Sequence, residues 1–89
     1  MSAPAPPARA ATEDPWTVLR VIRSSAEWLA DRGVDSPRLD AEHLLAHALG
    51  TTRLQLYLQY DRPLAEEERA ALRPLLRRRG RREPLQYVV

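Results

Sequence analysis

Eighty-nine residues allow one small domain, whose core covers only a modest share of the surface. The lack of cysteine excludes a disulfide framework and a thiolate metal site, and no run approaches the roughly 18 apolar residues of a membrane helix. All 14 cationic residues are arginine, but 12 acids are spread among them and the net charge is only +2, so the pI near 9.7 implies no global positive field.

Residues 1–14 hold three prolines, several alanines and almost nothing to bury. They read as a disordered leader. The apolar stretch that a secretory signal requires after its charged region is absent.

Helix one is expected from near Pro15, with Asp14 as cap and the proline in the first turn. Leu19, Ile22, Ala26 and Leu29 recur at helical spacing. Val18, Val21 and Trp28 widen that stripe, and Gly33 stands where a left-handed residue closes a helix. Helix two has the clearest punctuation: Ser36 caps, Pro37 opens, and Gly50 ends it. Ala41, Leu44, Leu45, Ala48 and Leu49 form its apolar face.

Residues 53–60 alternate, with Leu54, Leu56, Leu58 and Tyr60 on one side, which taken alone is a strand pattern. A lone strand among helices lacks a pairing partner, and Thr52 sits where a cap belongs, so a short helix is expected. The last helix is expected over 65–79. Glu66, Glu67 and Glu68 fill its first turn and Arg77, Arg78 and Arg79 its last, matching the helix dipole. Ala65 is a poor cap, and Pro74 predicts a kink or a shifted start. Gly80 is expected to close the helix. Pro84, followed by Leu85, Gln86, Tyr87, Val88 and Val89, predicts a strand-like end that continues into a further domain.

Three constellations could carry chemistry. Asp40, His43 and His47 share one helix face, as metal ligands would, but a fourth ligand is lacking and the zinc-protease order is absent. Solvated helix residues are the stronger reading, and no metal is assigned. The arginines at 73, 77, 78, 79, 81 and 82 could hold phosphate or carboxylate through paired hydrogen bonds. Ordinary helix-end electrostatics explains much of this run. Docking of an acidic partner ranks next. Nucleic acid ranks last, because no aromatic residues are interleaved for base stacking. Trp16, Trp28, Tyr57 and Tyr60 read as core or rim aromatics.

Ser36-Pro37-Arg38-Leu39-Asp40-Ala41-Glu42-His43-Leu44-Leu45-Ala46-His47-Ala48-Leu49-Gly50 resembles the S-x-R-L-D-A-E-x-L-L-A-H-x-L-G stretch of bacterial release-factor glutamine methyltransferases. Thr52-Arg53-Leu54-Gln55-Leu56-Tyr57 is similar to that family's next segment, as is Arg78-Arg79 followed by Glu83-Pro84-Leu85-Gln86-Tyr87-Val88. The resemblance covers about residues 16–89. Two departures stand out: the residue before Glu83 is often glycine in the family and is Arg82 here, and Ala65 replaces a usual capping residue.

The resemblance implies an all-α domain, a small bundle of four to five helices, with a short strand-like segment leading to a methyltransferase domain that this chain lacks. It divides the chain into a leader (1–14), a helical recognition domain (15–82) and the start of an interdomain hairpin (83–89). Full-length members use S-adenosylmethionine to methylate the glutamine of the Gly-Gly-Gln motif in class-one peptide release factors. The glycine-rich cofactor loop and the Asn-Pro-Pro-Tyr motif belong to the other domain. No catalytic, cofactor or metal residue carries over, and this chain alone is not expected to be an enzyme.

The expected partners are a class-one release factor and the chain's own methyltransferase domain, in the cytoplasm, with no membrane and no nucleic acid. Arg73, Arg77, Arg78 and Arg81 are the candidate contacts, with Asp40 and Glu42 from the family motif, although local hydrogen bonding is the stronger reading for those two acids. A basic adaptor for RNA or ribosomal surfaces, or a purely structural module, is the alternative.

Overall fold

The computed structural model describes residues 15–89. The expected leader and the Asp14 cap lie outside them. Five helices follow in order: α1 (Val18–Asp31), α2 (Pro37–Leu49), α3 (Arg53–Leu58), α4 (Glu66–Gly80) and α5 (Leu85–Val88). The all-α expectation holds, and no helix among the described residues is long and apolar enough to cross a membrane.

Helix α1 starts three residues later than expected. Thr17 is its cap and accepts from the Arg20 amide at 3.2 Å, while Pro15 and Trp16 precede the helix. The amides of Val18 and Leu19 donate to the carbonyls of Arg62 and Tyr60, and the Leu64 amide donates to the Trp16 carbonyl. First-turn amides have no partner within their own helix, so the 60–64 segment completes α1 from outside. The buried stripe is Val18, Val21, Ile22, Ser25 and Leu29, with the expected Ala26 and Trp28 packed against it; Ser25 joins it unexpectedly and Leu19 is only half-buried.

Helix α2 is the hub, packed against α1, α3 and α4. This explains why Asp40, Ala41, Leu44, Leu45 and Ala46 are buried together rather than along one narrow stripe. Ser36 holds the cap position without a side-chain cap bond, and Gly50 ends the helix at φ 66°. At that φ a side chain is disfavoured and glycine is not. Helix α3 is the short helix expected, with the Thr52 hydroxyl accepting from the Gln55 amide at 3.1 Å.

Helix α4 does not break at Pro74. Both Pro74 and Ala70 are exposed, so the Ala70 carbonyl that loses its donor faces water. At the other end the Glu68 carboxylate accepts from the Ala65 amide at 2.9 Å, half of a reciprocal capping arrangement that alanine cannot complete.

Gly80 closes α4 as expected: it is the last helical residue, and a Cβ there would lie 2.5 Å from the Trp28 ring. Its smallness lets α1 approach α4. The left-handed residue is Arg82, at φ 71°. The strand-like end is instead a helical turn, α5. Arg78 donates to the Tyr87 carbonyl at 2.8 Å, the Val89 amide donates to the Leu85 carbonyl, and Val88 is buried in the core. Backbone groups that a strand would pair laterally are satisfied locally, and the β-branched residue is used for packing.

Candidate functional site

The family-motif acids are placed by α2 and spent inside the fold. Asp40 is 6% exposed and receives Arg79 Nε at 2.8 Å, which ties α2 to α4. Glu42 accepts from Arg38 Nε at 2.8 Å and Arg53 Nε at 3.1 Å, and Arg38 also donates to the Tyr60 hydroxyl at 3.1 Å. Burial pushes the Glu42 carboxyl up, but the bonds from Arg38 and Arg53 outweigh it and hold the group below the ordinary carboxylate range. Both acids are thus engaged within the fold, Glu42 with Arg38 on its own helix and Arg53 on the next, and Asp40 with an arginine 39 residues away.

The arginine cluster splits in two. Arg78 grips the Glu83 carboxylate at 2.9 Å and the Tyr87 carbonyl, Arg79 holds Asp40 and the Glu83 carbonyl, and Arg82 donates to the Arg32 carbonyl at 3.0 Å. These three bind the turn after α4. Arg81 is exposed and stands 3.8 Å from Glu83. Arg73 makes a two-bond pair with Glu66 at 3.0 and 3.2 Å. Arg77 is exposed, and its side chain has no ion-pair or hydrogen-bond partner among the described residues.

Arg73 and Arg77 stand with Arg69 at four-residue intervals on α4, so they share one face. That face forms the rim of an open groove between α1 and α4, two joined hollows of about 260 and 420 Å³. Val21, Leu72 and Leu76 line it with carbon, and Ser24 and Ser25 stand on the α1 side. Trp16 and Trp28 mark its two hollows. Each ring carries a guanidinium, Arg20 at 4.0 Å over Trp16 and Arg32 at 3.6 Å over Trp28, a favourable cation–π contact. The Arg69 Nε is buried and makes no hydrogen bond among the described residues.

Two features were missed from sequence. The groove has a readable signal in the arginine spacing, which extends to Arg69, but its other wall comes from α1 by tertiary packing. The second is on α3, where only Leu56 is buried and Leu54, Tyr57 and Leu58 are each more than 60% exposed. The expected core or rim place for Tyr57 is thus corrected to the surface, where it meets the Tyr60 ring edge-on at 5.3 Å. His43 and His47 line a hollow with Thr51, Thr52 and Val89, and their third companion, Asp40, is held by Arg79. Among the described residues no group of three or more histidines, cysteines or acids could hold a metal ion.

Residues 20–89 match the family model described as the PrmC N-terminal domain. The chain is 44% identical over 82 residues to a protein of Rhodopirellula baltica named release factor glutamine methyltransferase, covering 92% of this chain and 28% of that protein. A Geobacter sulfurreducens protein of the same name is 48% identical over 80 residues, covering 88% and 28%. One from Chlorobaculum tepidum is 42% identical over 76 residues, covering 85% and 26%. The chain thus spans little more than a quarter of the length of these relatives. No solved structure matches it.

Proposed function

The chain belongs to the PrmC N-terminal domain family, and from that premise we propose that it is the release-factor recognition domain of a protein-glutamine methyltransferase. The observation that carries this reading is the match across residues 20–89, which takes in all but the first two residues of the bundle, together with the shared name of relatives 34–48% identical. In this reading the parent enzyme is cytoplasmic, uses S-adenosylmethionine, and modifies the glutamine of the Gly-Gly-Gln motif in class-one release factors.

The residues described do not fit that cofactor. Gly33 and Gly80 are filled against by Arg82 and Trp28, and Gly50 ends α2, so no glycine-rich loop is left to approach a nucleoside. The contribution of this domain is affinity and placement. Contacts remote from the reacting atoms can hold a substrate in a reactive orientation, and a rigid helical bundle is suited to that. The alternative of a basic RNA adaptor is weakened because Arg78, Arg79 and Arg82 are engaged internally.

The test is a titration of the isotope-labelled 89-residue chain with its cognate class-one release factor, followed by NMR. Saturable shifts confined to one surface are expected. A folded chain whose spectrum does not change would leave a structural module and overturn the recognition role.

A further inference from the structure

We propose that the groove between α1 and α4 seats an acidic, amphipathic helix of the partner protein, with its apolar side chains on the groove floor and its carboxylates on the α4 rim. This rests on the recognition reading above and names the surface and the partner chemistry for it.

The rim is a row of cations at matched spacing. Arg69, Arg73 and Arg77 are four residues apart, which on an α-helix is about 6 Å per step. Carboxylates at the same interval on a facing helix meet them in register. Guanidinium and carboxylate pair through two parallel bonds, which fixes geometry as well as adding energy.

Donor capacity on the rim is unspent at Arg77, whose exposed side chain has no ion-pair or hydrogen-bond partner among the described residues. Glu66 already lies against the other two positions, 3.4 Å from Arg69 and 3.0 Å from Arg73. It shows that the rim accepts carboxylate, and being exposed it is held weakly and exchanges readily. From α1 the lining residues are Val21, Ser24, Ser25 and Trp28, which place no negative charge opposite the rim.

The floor selects against nucleic acid. Phosphates could satisfy the arginines, but Val21, Leu72 and Leu76 ask for apolar side chains between the charges. An amphipathic helix laid in a groove supplies both. The exposed face of α3 lacks any such row of charge and carries no comparable argument.

The experiment measures binding of the 89-residue chain to its cognate class-one release factor by calorimetry, with melting curves confirming that each variant folds. Arg77→Glu is expected to weaken binding by roughly tenfold or more, and Arg77→Lys to retain most of it. Glu66→Gln, which frees the rim, is expected to tighten binding severalfold. Tyr57→Ser on α3 is expected to leave it unchanged. Loss of binding in Tyr57→Ser with none in Arg77→Glu would remove the groove as the seat and leave the recognition role standing. No binding by the native folded chain would overturn both. A single-stranded oligouridylate that shifts the groove resonances when the release factor does not would put nucleic acid in place of a protein helix.

Discussion

Asp40 shows how a motif acid can be read correctly and still be misplaced. Its position near the start of α2 suits a negative charge, and nothing local separates an exposed acid from a buried one. Tertiary structure decides, because Arg79 arrives from 39 residues away at 2.8 Å. Neutralising one partner of such a pair leaves the other charge uncompensated, at a cost of about 3 kcal/mol. Asp40→Asn is therefore expected to lower the stability of the chain by about that amount in denaturant titrations, with any effect on binding following from the lost fold. Arg82 is the complementary case. It adopts a left-handed conformation that costs a side-chain residue roughly 1 kcal/mol. Its bond to the Arg32 carbonyl and its packing on Gly33 offset that cost by tying the turn after α4 to the end of α1.

At the scale of elements, the caps were the most legible features. Thr52 and Gly50 stand where local chemistry demands them, so α2 and α3 could be bounded from sequence. Thr52→Ala is expected to destabilise by about 1 kcal/mol, whereas Ser36→Ala should cost less, because the Ser36 side chain makes no cap bond; thermal melts of the two variants check the ranking. The end of the chain was illegible for a physical reason. Tyr87, Val88 and Val89 have β-forming side chains, but the deciding partner is the Arg78 guanidinium on the Tyr87 carbonyl, a contact no propensity contains. The α1 start was misread because proline chemistry pointed to Pro15, while the amides of Val18 and Leu19 were completed by a loop more than 40 positions away. The groove was half legible: the arginine period is in the sequence, and its second wall is not.

For the molecule as a whole, several of the pairs that hold the helices and their starts depend on carboxylates that stay charged. Glu42 is held below the ordinary value of 4.5 by Arg38 and Arg53 against its burial, Glu68 by the Ala65 amide and Arg62, and Glu66 by Arg73. A carboxylate with a lowered folded-state pKa contributes stability above its unfolded value and loses it as pH falls through the folded one. The melting temperature is therefore expected to be flat near neutrality and to fall below about pH 4.5. Glu42→Gln should flatten part of that fall, which a series of melts across the acid range measures.

The bonds from Val18 and Leu19 to the Arg62 and Tyr60 carbonyls also order events in time. During synthesis α1 emerges before α2 to α5, yet its Val18 and Leu19 amides find no acceptor in the protein until residues 60 to 62 have emerged. The first turn of α1 is thus finished only after α2 and α3 have been made, and its closure ties the start of the bundle to the loop between α3 and α4 in one step.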